Sequence, residues 1–182
     1  HQGAVSALHV LPDDQHVVSA SWDHSLMVWQ LSTGARRAQL TGHSAPINAV
    51  VATADGRFLI SASDDGTLKV WDADSGRELR TLIGHHSGVK GCVLLPDNRS
   101  VISVSEDWTL RQWDLSTGAP LRMFDGHLAP ALACSVTRDG RQLISASEDK
   151  TLKLWDLSPN YDSGRSDGHI GAVTACFLSE GG

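Results

Sequence analysis

The chain has 182 residues with a formal net charge of −6, and 41% of its residues are apolar and 20% are charged. From this composition we expect a soluble cytoplasmic domain, because no apolar run is long enough to span a bilayer and no leader sequence opens the chain. The 15 basic residues are spread along the sequence, so the basic stripe that follows nucleic-acid phosphates is absent, and we expect neither a membrane nor a nucleic-acid partner.

In chain order the sequence predicts short β-strands separated by tight turns, as the stretch after Gly42-His43 shows. An apolar strand follows this pair, and Asp55-Gly56 then gives a hairpin signal. Residues 58–62 are rich in β-branched and aromatic side chains, and residues 67–71 alternate with a period of two after the Asp65-Gly66 turn. A loop then leads to a last strand. With four strands in each such stretch and no helical periodicity, the predicted fold class is all-β.

The same markers return four times at an interval of 42 residues. A histidine opens each unit and follows a glycine from the second unit onward, Ser-x-Ser-x-Asp marks the second turn, and a tryptophan follows six residues after the aspartate. The tryptophans are Trp29, Trp71, Trp113 and Trp155. Because one unit of this size cannot bury its apolar face alone, the period predicts a repeat architecture in which neighbouring units cover each other.

These markers, kept in register through the chain, resemble those of the WD-repeat β-propeller family. The resemblance implies four-stranded antiparallel blades within one propeller segment that occupies residues 1–182. Its complete repeats are 1–42, 43–84, 85–126 and 127–168, followed by a partial repeat at 169–182. Since such propellers usually have about seven blades, we expect the chain to be part of a larger propeller. A closed ring made from two four-bladed chains is the alternative.

Residues 158–167 break the pattern of the fourth unit. They lack the apolar alternation that residues 77–83 show at the same place in the second unit. We therefore expect the last strand of the fourth blade to be ragged or loop-like.

The resemblance also implies a hydrogen-bonded tetrad of His, Ser, Asp and Trp in each blade. Ser, His and Asp together resemble a hydrolase triad, but a nucleophile needs an exposed oxygen, and fourfold repetition favours a structural role. The matching residues are His1, Ser19, Asp23 and Trp29; His43, Ser61, Asp65 and Trp71; His85, Ser103, Asp107 and Trp113; and His127, Ser145, Asp149 and Trp155.

Cys92, Cys134 and Cys176 occupy one equivalent position in three successive units. Leu8 and Val50 hold the same position in the first two units, so we interpret it as a small apolar packing site and not as a disulfide or metal site. The histidines outside the repeat show no ligand spacing. We therefore expect no metal and no cofactor.

Two tryptophans, Trp22 and Trp108, lie beside turn aspartates but outside the repeated markers. One interpretation is that each packs on its own blade; the other is that both contact a protein partner, as exposed tryptophans often do. The resemblance places partner contacts on the face that carries these turns. Its acidic ring, with Lys90 and Leu132 nearer the channel, suits a basic or mixed peptide. The candidate partner-binding residues are Trp22, Asp64, Lys90, Glu106, Trp108, Leu132 and Glu148.

From these patterns we expect a non-catalytic protein-interaction scaffold or sensor module within a larger multidomain regulatory protein. Its partners would be a protein or peptide on the loop-rich face, and the rest of the propeller either in the same chain or in a second copy. The alternative is a propeller that hosts or accompanies an enzyme activity, such as an effector hydrolase or kinase elsewhere in the full chain. An active site in the channel would need unrepeated, converging polar groups, and the sequence indicates none.

Overall fold

The strands of the protein follow the repeated markers of its sequence. The computed structural model describes residues 1–158, and the elements in this part are all β-strands, arranged as four antiparallel sheets. The all-β prediction is therefore confirmed. None of the described residues forms a helix long and apolar enough to cross a membrane.

We call the four sheets blades 1 to 4 in chain order. Blade 1 contains β1 (Val5–Val10), β2 (His16–Ser21), β3 (Ser25–Gln30) and β4 (Arg36–Thr41). Blade 2 contains β5 (Ile47–Ala52), β6 (Phe58–Ser63), β7 (Thr67–Asp72) and β8 (Glu78–Ile83). Blade 3 contains β9 (Val89–Leu94), β10 (Ser100–Ser105), β11 (Leu110–Asp114) and β12 (Pro120–Phe124). Blade 4 contains β13 (Ala131–Val136), β14 (Gln142–Ser147) and β15 (Leu152–Asp156) within the described residues.

Each blade is a meander, because every strand pairs with the strand that follows it in the chain. In blade 2, for example, Leu59 lies opposite Trp71 and Ser61 lies opposite Lys69. Four strands per unit, as predicted, are present in blades 1 to 3. The predicted ragged strand at the end of blade 4, the partial repeat at 169–182 and Cys176 lie outside the described residues.

The hydrophobic core lies between successive blades. Leu26 and Val28 of blade 1 pack with Ile47, Leu59 and Trp71 of blade 2 in one buried cluster. Corresponding clusters join blade 2 to blade 3 and blade 3 to blade 4. The first strands of consecutive blades, β1, β5, β9 and β13, lie side by side. Each blade therefore covers the apolar flank of its neighbour, as a repeat of this kind requires.

The cysteine position belongs to this interblade packing. Cys92 and Cys134 are half-buried and pack against the second and third clusters. Burial raises the pKa of the Cys92 thiol to about 12. Val50, at the same position in blade 2, is buried, whereas Leu8 in blade 1 is 66% exposed because no described residue covers that flank.

Candidate functional site

The first candidate is the tetrad, which blade 2 shows in full. His43 Nδ1 lies 2.6 Å from Asp65 Oδ2, and His43 Nε2 lies 2.8 Å from Ser61 Oγ. The indole N–H of Trp71 donates to the same serine oxygen at 2.8 Å. The imidazole and indole rings meet edge to face, with their centroids 6.0 Å apart. The tetrad thus connects the loop before β5 to the middle of β6 and the end of β7.

The structure brings the four predicted residues together in every blade. The His–Asp distances are 2.6 to 2.9 Å, and the His–Ser distances are 2.6 to 2.8 Å. The tryptophan donates to the serine at 2.8 Å in all four. In blades 2 to 4 the histidine and the serine are buried. Such uniform geometry at four positions marks a feature of the repeat and not of one site.

The electrostatics of the tetrad favour an ionised aspartate beside a neutral histidine. Burial lowers the pKa of His85 and His127 below its ordinary value, although a hydrogen bond to the partner aspartate opposes this shift. Burial alone would raise the pKa of Asp107, but hydrogen bonds from Thr109, His86 and His85 outweigh it and lower the pKa to about 2. The histidine Nδ1–H therefore donates to the carboxylate, which leaves Nε2 to accept the serine O–H.

This arrangement uses the one donor hydrogen of the serine and one of its two acceptor lone pairs. Its hydroxyl hydrogen goes to the imidazole, and its oxygen accepts the indole N–H. Ser61, Ser103 and Ser145 are fully buried. A nucleophilic serine needs an oxygen that the substrate can reach, so the geometry is suited to holding the blade together and not to acyl transfer.

The second candidate is a cavity of about 430 Å³ at the end of the blades that carries the turn aspartates. We call it the rim cavity. Its wall includes the second residue of the first strand in each of the four blades, and Ala4, Val5 and Trp22 complete it. Those four equivalent residues are Ser6, Asn48, Lys90 and Leu132.

Lys90 lies at the centre of a charged network in this wall. Its Nζ lies 2.7 Å from Asp64 Oδ1 and 2.8 Å from Glu106 Oε1. Asn48 Nδ2 donates to Asp64 Oδ1 at 2.6 Å and to the Val89 carbonyl at 2.9 Å. Partial burial would lower the pKa of Lys90, but the two carboxylates outweigh this effect and raise it. One ammonium group thus balances two carboxylates, and the network carries a net negative charge.

The two tryptophans outside the repeat differ in their relation to the rim cavity. Trp22 lines it and is 59% exposed. Trp108 is 50% exposed and lies on the β10–β11 turn at the same end of the molecule, but it does not line the cavity. Glu148 is exposed on the β14–β15 turn and lies outside the lining as well. Of the candidate partner residues, the cavity therefore gathers Trp22, Lys90 and Leu132, and Lys90 connects Asp64 and Glu106 to them.

A third feature, a groove between blades 2 and 3 at the other end of the molecule, was not anticipated from the sequence. Its lining includes Phe58 and Arg80. Phe58 departs from the repeat, since blade 3 has Ser100 at the equivalent position, whereas Arg80 shares its residue type with Arg122 of blade 3 and differs from Ala38 of blade 1. The aromatic side chain of Phe58 is visible in the sequence as a departure, but the groove also depends on the side-chain direction of Arg80, which the sequence does not show. Within residues 1–158, no group of three or more His, Cys, Asp or Glu side chains is placed to hold a metal ion.

Comparison with known proteins identifies the repeat. The family model described as "WD domain, G-beta repeat" matches residues 1–30, 34–72, 76–114 and 118–156. A search of curated proteins gives no match.

Solved structures with the same fold are similar to this chain over most of its length. "Crystal structure of RRP9 WD40 repeats" matches with a TM-score of 0.84 and 24% identity, over 94% of this chain and 52% of that one. "Structure of U3-55K" matches with a TM-score of 0.81 and 25% identity, over 86% of this chain and 50% of that one. The chain therefore spans about half the length of these structures.

Proposed function

The chain belongs to the WD-repeat family, and from this premise we propose that it is a protein-interaction module whose rim cavity binds a peptide segment of a partner protein. The observation that carries the proposal is a contrast between the blades. They agree at every tetrad position, yet the four equivalent wall positions of the rim cavity hold Ser6, Asn48, Lys90 and Leu132. The shared residues account for the fold, so the differing residues are the ones that can give a partner specificity.

The lining of the rim cavity defines the chemistry of this partner. Trp22 and Leu132 offer apolar surface, and an exposed tryptophan beside a concave site is a typical anchor for protein contacts. Asp64 and Glu106 carry more negative charge than Lys90 neutralises. A segment with one apolar side chain and a nearby lysine or arginine is complementary to both parts. Trp108 and Glu148 extend the proposed contact beyond the cavity on the same end.

The proposal includes a larger assembly around this chain. The remaining blades would come from the same polypeptide or from a second copy, within a multidomain cytoplasmic protein. The exposed apolar flank of β1 supports this part of the proposal, as does the match to about half of each related structure. We propose no enzymatic role for the tetrads, because their serine oxygens are buried and already bonded.

A peptide selected from a display library against the full chain tests the proposal. Changing Trp22 to Ala should weaken its affinity by about 2 kcal/mol or more, the range of an interface hot spot, and leave the melting temperature unchanged. Leu128→Ala is the matched control, because Leu128 is 80% exposed at the same end but does not line the cavity. Isothermal titration and a thermal melt of each variant give both numbers. A loss of stability without a specific loss of affinity would assign Trp22 to packing and contradict the proposal.

A further inference from the structure

A groove separates blades 2 and 3 at the end of the molecule opposite the rim cavity. Its volume is about 580 Å³, within the range of sites that bind small molecules or side chains. Phe58, Val70 and Leu115 form an apolar floor. The polar residues around this floor are Arg80, Asn98, Arg99, Asp114 and Ser116. We call this feature the interblade groove.

Among the three boundaries between the described blades, only the one between blades 2 and 3 has this apolar floor. At the boundary between blades 3 and 4, the positions of Phe58 and Val70 are occupied by Ser100 and Gln112. At the boundary between blades 1 and 2, His16 stands at the position of Phe58. The repeat therefore does not require an aromatic side chain here, although the backbone is the same in each blade.

The arginine above the floor is also placed differently from its counterpart. Arg122, the equivalent of Arg80, donates to the Asp156 carbonyl of the next blade at 2.9 Å and lies over the Phe124 ring at 4.5 Å. The side chain of Arg80 makes no hydrogen bond to the carbonyl of Asp114, the equivalent of Asp156, or to any other of residues 1–158. Its guanidinium group is therefore available at the edge of the interblade groove.

The charges around the groove leave a net positive site. Neither Arg80 nor Arg99 forms an ion pair with any of residues 1–158, and both line the groove. Asp114 is the carboxylate in the lining, and hydrogen bonds from Ser116 and Thr117 lower its pKa to about 2. Those bonds occupy one of its oxygens in the local turn, so its charge offsets only one of the two arginines.

Asn98 adds uncharged donors to the same edge. Its Oδ1 accepts the Ala54 N–H of blade 2 at 2.9 Å, which fixes the side chain across the boundary between the blades. The Nδ2 donors stay unused within the described residues.

From this combination we propose that the interblade groove binds an acidic peptide segment that carries one large apolar side chain. The apolar side chain would lie on Phe58, Val70 and Leu115, which bury it from water. Carboxylates on either side of it would pair with Arg80 and Arg99, whose planar guanidinium groups suit bidentate contacts. The occupant differs in charge from the segment proposed for the rim cavity, so the two ends would take different partners.

The test uses the full chain and two fluorescent peptides. One peptide has a central phenylalanine flanked by glutamates, and the other has serine in place of the phenylalanine. The first should bind with a dissociation constant in the micromolar range by fluorescence anisotropy, and the second should bind at least about tenfold more weakly. Raising the ionic strength from about 0.05 M to about 0.3 M should lower the affinity for the first peptide, because salt screens the exposed arginines.

Variants locate the binding. Arg80→Ala and Arg99→Ala should each lower the affinity for the phenylalanine peptide by about tenfold or more. Phe58→Ser should lower this affinity by a similar factor without changing its salt dependence. Arg141→Ala is the matched control, since Arg141 of blade 4 is equivalent to Arg99 of blade 3 but does not line the interblade groove. Trp22→Ala should leave this affinity unchanged, which separates the interblade groove from the rim cavity. Equal affinity for both peptides, or for wild type and Arg80→Ala, overturns the inference.

Discussion

Trp108 has a backbone conformation that tryptophan disfavours. Its φ is +73°, in the left-handed region, and the equivalent position in blade 2 is Gly66 with a φ of +82°. His24 and Lys150 take the same conformation in blades 1 and 4. Glycine adopts it without steric cost, whereas a residue with a Cβ is strained there by about 1 kcal/mol. A strained residue that is also half-exposed is more readily explained by a contact outside the chain than by packing within it.

Replacing Trp108 by glycine separates these two explanations. If the tryptophan serves a partner, Trp108→Gly should leave the free energy of unfolding unchanged or raise it by up to about 1 kcal/mol, while it weakens partner binding. Chemical denaturation measures the first quantity, and titration with the selected peptide measures the second. Trp108→Ala is the control, since it removes the indole but keeps the Cβ. A clear loss of stability in the glycine variant would show that the indole packs.

The tetrad histidines make stability depend on pH. Burial lowers the pKa of His85 and His127 in the folded protein, and unfolding restores the ordinary value of 6.5. Below about pH 6.5 the unfolded chain therefore binds protons that the folded chain excludes, so stability falls as the pH falls. Asp107, with a pKa of about 2 against an ordinary 3.8, adds a second loss between about pH 4 and about pH 2.

Thermal melts at constant ionic strength check this dependence. The melting temperature should decrease steadily from about pH 7 to about pH 5, before the carboxylates titrate. His24 supplies a control, because it is exposed on the β2–β3 turn of blade 1 and contacts neither buried histidine, so His24→Asn should leave this decrease in place. A melting temperature that stays constant over this range would contradict the assignment of neutral, buried histidines.

At the level of whole elements, the tetrad holds the loop between two blades against the strands of the second. Asp65 Oδ2 lies beside His43 and accepts the Ser44 N–H, while Oδ1 accepts the N–H and the hydroxyl of Thr67. Its side chain is 9% exposed. The carboxylate thus satisfies donors on both the interblade loop and the β6–β7 turn, and no other described group replaces it.

Removing this carboxylate should destabilise blade 2. Asp65→Ala leaves the His43 Nδ1–H and the two backbone donors without their acceptor, which should cost about 1–3 kcal/mol in the free energy of unfolding. Denaturant unfolding measures the change. Asp74→Ala should have almost no effect, because Asp74 is 88% exposed and its contact to Arg37 is 3.4 Å long. An unchanged transition for Asp65→Ala would mean that the tetrad does not stabilise the fold.

The elements also show how far the sequence determines the structure. The period, the turn dipeptides and the alternation at 67–71 were sufficient to predict strands and meander, because each depends on local chemistry. Trp22 could be singled out as a departure from the repeat. The interblade groove could not, since it depends on the side-chain direction of Arg80, and Arg122 in an equivalent position points to a backbone carbonyl instead. The network of Lys90 with Asp64 and Glu106 likewise joins two blades across a distance that no local pattern encodes.

At the scale of the whole molecule, the flank of blade 1 differs from the flanks of the other blades. Leu8 is 66% and Val10 is 53% exposed, whereas Val50 and Ala52, their equivalents in blade 2, are 4% and 8% exposed because blade 1 covers them. Burying an apolar side chain of this size stabilises by roughly 1.5–3 kcal/mol. No residue in 1–158 covers the flank of β1. Packing of a further blade against this flank would therefore stabilise the folded state.

A polypeptide of these 182 residues should therefore associate in solution. Sedimentation velocity or light scattering over a range of concentrations should show particles larger than one chain, and Leu8→Glu together with Val10→Glu should reduce this association, since each carboxylate opposes burial. Leu128→Glu is the control, because Leu128 is 80% exposed but lies on a loop away from that flank. A discrete dimer would favour a ring of two chains, and larger, heterogeneous particles would favour a propeller completed by further blades of one polypeptide. A monomer at every concentration would contradict the expectation that the flank needs covering.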